Sequence, residues 1–247
     1  MKKIVIVCFL LLSSSFSQTA LEYLNQNRTN AGMITFSENS LLNQSAQNHA
    51  NYVKTNIYSY GYEGHFETST NSGYTGYAPW NRAYAVGYKT SASENMTVGY
   101  DSYDLSIDGL FTAIYHRLGF LDFSSDEIGM GESINTQNGN LYTHVYNMGN
   151  SDLNTLCGGL SYDGNGGYYY NICSDSNFKI ETTLYDQKKV ENILSNPQIV
   201  TWPYENQIDF QPAFYEESPD PLPTCNVTGN PIRIQFNPST TGNISMQ

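Results

Sequence analysis

Four histidines, His49, His65, His116 and His144, stand among twenty-three Asp and Glu residues, and these are the side chains most able to do chemistry. Neutral imidazole nitrogens and carboxylate oxygens are ligands that suit zinc or a similar divalent ion. Acids placed beside imidazoles also raise imidazole pKa values and couple the titrations, so a cleft holding both types responds to pH even without a metal. Spacing alone selects no set, because the chain has no His-Glu-x-x-His and no Cys-x-x-Cys. Nucleophilic catalysis has little support: there is no Gly-x-Ser-x-Gly, and no Ser-His-Asp order is singled out by context.

The elements that must position these residues are partly readable. Thr19 and Glu22 have capping-box spacing, and Leu21, Leu24 and Arg28 lead to Gly32, which describes a short first helix. In SENSLLNQSAQNHANYVKTN, from Ser37, the residues Leu42, Ala46, His49, Ala50 and Val53 recur at spacings of three and four. That is an amphipathic helix, and it places His49 on the apolar stripe as a buried, hydrogen-bonded residue. Tyr58 to Tyr77 has no helical periodicity and reads as a loop that presents His65; loops of such length are often functional.

Pro79 fits the first turn of a helix carrying Trp80, Ala83, Tyr84 and Tyr88, with Trp80 packed in the core. Ser106 is expected to cap the next helix, in which Ile107, Leu110, Phe111, Ile114 and Leu118 form an apolar stripe. His116 lies off that stripe near the helix end, where its imidazole faces a cleft, and Arg117 is expected to pair with an acid. Glu127 to Ile134 and Leu141 to Met148 are β-prone runs joined by Asn138-Gly139, a strong hairpin signal. Helices first and antiparallel strands later argue for an α+β domain with helices packed on a sheet.

Lys2 and Lys3, the apolar run Ile4 to Leu12 and the serines that follow have the layout of a secretory signal peptide, with cleavage expected after Ser17. The run is far shorter than the roughly 20 residues of a membrane span, and no later segment is apolar enough. The expected protein is soluble, and secreted or periplasmic. The full chain has a formal charge of −12, which becomes more negative as Lys2 and Lys3 leave with the leader; such a protein repels nucleic acid and anionic lipid, and the scattered acids read as a solvated surface.

Cys8 leaves with the leader. Cys157 and Cys173 flank GGLSYDGNGGYYYNI, whose glycines let the chain double back, and these two are expected to pair. Such a loop constrains the unfolded chain by about 3 kcal/mol. Cys225 is then a free thiol, with pairing to either of the other two as the competing arrangement. Asp152 to Lys189 either completes the core sheet or forms a disulfide-pinned hairpin. Beyond Asn196 the prolines from Pro197 to Pro238 exclude long helices and central strands, which sets a boundary near Asn196.

Several stretches, in one order, resemble the motif blocks of bacterial secreted domains of the CAP superfamily (cysteine-rich secretory proteins, antigen 5, pathogenesis-related). APWNRAYAVGY, Ala78 to Tyr88, resembles the Pro-Trp-x-Arg helix ending in Gly-Tyr, and it follows a loop histidine, His65 within EGHFE. SENMTVG, Ser93 to Gly99, is similar to the Gly-Glu-Asn signature; IYHRLGFLDFSSDEIGMG, Ile114 to Gly131, and AQNHANYV, Ala46 to Val53, match as well. The blocks span Leu21 to Met148. Ser93 stands where glycine is usual before Glu-Asn, and Tyr115 where glycine often precedes His-Arg, so both put bulk beside the cleft.

The resemblance implies an α-β-α sandwich over residues 18–150, behind a signal peptide of residues 1–17. A disulfide-pinned hairpin and connecting segment would follow at 151–196, then a Pro-rich β-type extension at 197–247. It also implies a cleft lined by two histidines and two acids that can hold a divalent metal such as zinc. Carried over by position, the set is His65, Glu94 and His116, with Glu127 as fourth member; His144, in LYTHVYN where glutamine is more usual, would add or replace a ligand. Glu94 and Asn95 also have plainer readings, as a cap and as a loop brace through side-chain to backbone bonds.

Three functions follow from this reading. The first is a non-catalytic binding module whose cleft takes a divalent metal, a lipid or a peptide-like ligand. The second is a metal-assisted hydrolase of peptide or cell-wall glycan, with Glu94 or Glu127 as general base toward a metal-activated water. The third is a structural or adhesive extracellular protein with a vestigial cleft, whose C-terminal extension docks a protein partner by adding a strand.

Overall fold

Thr19 and Glu22 close a reciprocal cap at the start of helix α1 (Ala20–Asn30): the Glu22 amide donates to Thr19 Oγ1 and the Thr19 amide to Glu22 Oε2. In the computed structural model, residues 18–239 are described, apart from 209, 216, 218 and 219, and the expected signal peptide lies outside the described residues. After α1 come strand β1 (Ser37–Glu38), helix α2 (Ser40–Tyr60), helix α3 (Pro79–Ala85) and strand β2 (Ser93–Val98). Helices α4 (Tyr103–Thr112) and α5 (Ile114–Phe120) lead to the hairpin of β3 (Glu127–Asn135) and β4 (Leu141–Gly149).

The four strands form one sheet in the order β1-β3-β4-β2, so β2 is an edge strand, antiparallel to β4 with Glu94 opposite Asn147. Side chains alternate across a strand. Val145 and Met96 meet Ala46, Ala50 and Val53 of α2 on one face, while Tyr146 and Met148 meet Ile107, Leu110 and Phe111 of α4 and Phe120 of α5 on the other. The result is a three-layer α-β-α arrangement, the α+β fold read from the sequence. Gly129 and Gly131 let α2 lie directly on the sheet, since a Cβ on Gly131 would stand 2.3 Å from the backbone nitrogen of Gln47.

Several local expectations are corrected. Trp80 is 43% exposed rather than in the core; the buried side of α3 carries Ala83 and Arg82 instead. Ser106 lies inside α4, hydrogen-bonded to Thr97 and Tyr146, and the cap is Ser102, whose hydroxyl accepts from the Leu105 amide. The single helix expected there is two, because Ala113 takes an extended conformation between them. Among the described residues Arg117 forms no ion pair: its guanidinium donates to the carbonyls of Phe111, Thr112 and Pro231 and to Asn230 Oδ1.

Beyond the sheet, helix α6 (Ser151–Cys157) ends at the Cys157–Cys173 disulfide, which has formed as expected, with Cys225 free and exposed. Strands β5 (Tyr168–Tyr169) and β6 (Ile180–Glu181) pair with each other and precede helix α7 (Thr182–Ser195). This region therefore adds no strand to the core sheet. Strand β7 (Ile199–Trp202) pairs with β10 (Arg233–Phe236), and β8 (Ala213–Phe214) with β9 (Thr228–Gly229). Val200 and Trp202 enter the main core, where the indole stacks on Phe111 at 4.2 Å between ring centroids. No helix of the described residues is long and apolar enough to cross a membrane.

Candidate ligand groove

Helix α2 ends at Gly61, whose φ of +85° turns the chain into the loop that carries His65. Glu67 ties this loop down. Fully buried, it accepts from the amides of Thr75 and Gly76 and from His49 Nδ1 at 2.9 Å. His49 is buried as expected, each ring nitrogen facing an oxygen: Glu67 Oε1, and the Gly64 carbonyl at 3.0 Å. It is not remote from the chemistry, however, since its Nε2 lies 3.7 Å from Glu94 Oε1.

Glu94 sits within strand β2 rather than at a cap, and its side chain has no solvent exposure. Arg82 Nη2 donates to it at 2.7 Å, Asn147 Nδ2 at 2.9 Å and His65 Nδ1 at 3.0 Å. Burial by itself would push the Glu94 carboxyl up; the positive fields of His49, His65 and Arg82 and the His65 hydrogen bond outweigh it and hold the group at about 2. A general base works best with a pKa near the working pH, so this carboxylate is a poor one. It serves instead to fix its neighbours.

Because β2 is the sheet edge, the loop from the α2 side and helix α5 from the opposite side meet beyond it. Asn95 braces the second half of this junction by donating to the His116 carbonyl at 2.7 Å. The rings of His65 and His116 stand 6.1 Å apart and line one groove of about 490 Å³, with Tyr62, Phe66 and Met96 supplying its apolar surface. The side chains of His65 and His116 are 35% and 17% exposed.

Glu63 is the carboxylate in the lining itself; the one behind His116 is one that sequence reasoning missed. Glu217, from the C-terminal segment, places Oε2 at 3.2 Å from His116 Nδ1 and 3.1 Å from the Tyr115 amide. No local signal could reveal a contact between residues 101 positions apart. Glu67 was more accessible, as an acid two positions after His65 in EGHFE. The other two expected members lie elsewhere. Glu127 accepts from Tyr88 and from Asn39 at the foot of α2. His144 is buried on the α4 face of the sheet, with Nε2 at 3.0 Å from the Tyr100 carbonyl and its ring against Tyr103.

The family-implied metal can be tested against these contacts. Both imidazoles use Nδ1 on a carboxylate, and the Glu94 oxygens are occupied by Arg82, Asn147 and His65. That leaves two Nε2 atoms, whereas a protein zinc site supplies three or four ligands. Among the described residues no three His, Cys, Asp or Glu side chains are grouped to hold a metal ion. The donor set does not fit a resident metal.

An α-β-α sandwich with a histidine and carboxylate cluster at an edge strand defines a class of small α+β domain with an open edge cleft. The chain belongs to the CAP family, the cysteine-rich secretory protein family, whose model matches residues 21–174. Among solved structures, an outer surface protein of Borrelia burgdorferi is similar at 14% identity and a TM-score of 0.41, over 50% of this chain and 85% of that one. An extracellular protein containing an SCP domain from Bacillus anthracis is similar at 16% identity and the same TM-score of 0.41, over 51% of this chain and 38% of that one. No curated protein matches the chain.

Proposed function

We propose that this chain is a secreted, non-catalytic binding module whose edge groove takes a peptide-like ligand in an extended conformation. One observation carries the reading: two imidazoles from opposite sides of the sheet line the same groove, each held on Nδ1 by a carboxylate. In a neutral ring fixed this way, Nε2 presents a lone pair outward, ready to accept from a backbone amide. Tyr62 and Phe66, both exposed, flank the pair and offer ring faces to side chains.

The same lining favours a peptide over an acyl chain. A lipid tail needs enclosed apolar walls, and here only Met96 is buried. The chain's own C-terminal segment already reaches His116 and the Tyr115 amide through the Glu217 carboxylate, so polar groups of a polypeptide are accommodated at this end. Hydrolysis has weaker support, since the groove offers no activated nucleophile and Glu94 is a poor base.

Binding to an array of pentapeptides with a central aromatic residue tests the reading. The strongest array peptide should lose at least about tenfold in affinity, about 1.4 kcal/mol, on His65→Ala or His116→Ala, and nothing on Glu132→Gln at the other side of the sheet. Equal binding by all variants removes the groove as the site.

A further inference from the structure

The C-terminal segment is fixed beside α5 by buried contacts. Arg117, the residue after His116, donates to Asn230 Oδ1 and to the Pro231 carbonyl, and Asn230 in turn donates to the carbonyls of Pro212 and Gln211. Pairing of β8 with β9 continues this frame to Phe214, a few residues before Glu217. The Glu217 side chain is 2% exposed and both its oxygens reach the Tyr115 amide, at 3.2 and 3.1 Å, with Oε2 shared with His116 Nδ1. The carboxylate itself is thus shielded, although Tyr115 at its far side is exposed.

We propose that Glu217 is a positioning residue of the groove: it holds neutral His116 in the Nδ1–H form, so that the C-terminal segment completes a site the sheet and helices leave half built. An ionised carboxylate only accepts, so the bonded nitrogen must carry the proton and Nε2 is left as the acceptor. Which nitrogen is protonated is set by the bond the other one makes. The arrangement repeats that of His65 on Glu94, with the second acid supplied from beyond residue 174, where the family match ends.

The inference gives the groove reading its second arm, but its test needs no ligand. Long-range proton–nitrogen spectra of the histidine rings, taken on the full chain at one fixed pH of about 8, report the tautomer of each neutral ring. In the wild type, His116 should be mainly Nδ1–H. In Glu217→Ala, and in Glu217→Met, which keeps the volume, that form should become the minor one, while His65 is unchanged in both. Persistence of the Nδ1–H form in either folded variant overturns the proposal. A wild-type His116 that is mainly Nε2–H overturns it without any variant. Failure of the peptide array leaves these outcomes untouched, so the two claims fall separately.

Discussion

The Arg82 guanidinium lies 2.7 Å from Glu94 and 3.8 Å from Glu67, and all three side chains are fully buried. It also donates to the His65 carbonyl at 3.0 Å. One cation is therefore shared between the acids beneath two histidines, hydrogen-bonded to Glu94 and near Glu67, and it holds the loop that carries one of those histidines. This relationship links the Pro-Trp-x-Arg helix to the groove through charge as well as packing.

Arg82→Met should accordingly destabilise the fold strongly. Removing one partner of a buried ion pair leaves an uncompensated charge, at a cost of about 3–5 kcal/mol. Urea unfolding followed by far-ultraviolet circular dichroism measures it. A loss under about 1 kcal/mol would show that Glu94 and Glu67 are satisfied without the guanidinium.

Stability should fall in acid with a contribution traceable to Glu94. Its folded pKa, about 2, is depressed from the ordinary 4.5, so its stabilisation is complete above about 4.5 and is lost as pH falls toward 2. Melting curves of wild type and Glu94→Gln at pH 6 and pH 3, taken as round values, separate this group from the other acids. The wild type should lose more between the two pH values than the variant does, and parallel losses would remove Glu94 as a cause.

Truncation after Asn196 should damage the main domain, although the run of prolines marks a boundary there. It removes Val200 and Trp202 from the core, and with the indole goes the stack on Phe111. Loss of one large core aromatic alone costs about 3–5 kcal/mol. An unchanged melting temperature in the truncated chain would establish the extension as a separable appendage.

The sequence was most legible where short-range rules govern. The capping box at Thr19 and Glu22, the apolar stripe of α2 and the Asn138-Gly139 turn each have local causes, and each element formed, although α2 begins at Ser40 after a short strand at Ser37 and runs through Tyr58 to Tyr60, which were read as loop. Ser106 and Arg117 misled because hydroxyl and guanidinium groups satisfy themselves equally well on surface or core partners, and only packing decides which. Both sit on core partners here. At the groove, motif order put His65, Glu94 and His116 together. Glu217 was hidden because its approach depends on a long-range path through Arg117 and Asn230.

The measurement closest to the central claim is chemical-shift mapping of the full chain, with the strongest array peptide added stepwise. Perturbations should centre on His65, Phe66, Met96 and His116 together, with Tyr62 at the rim, and leave the region around His144 unmoved. Shifts confined to another face, or to one histidine without the other, would contradict a single groove shared by both.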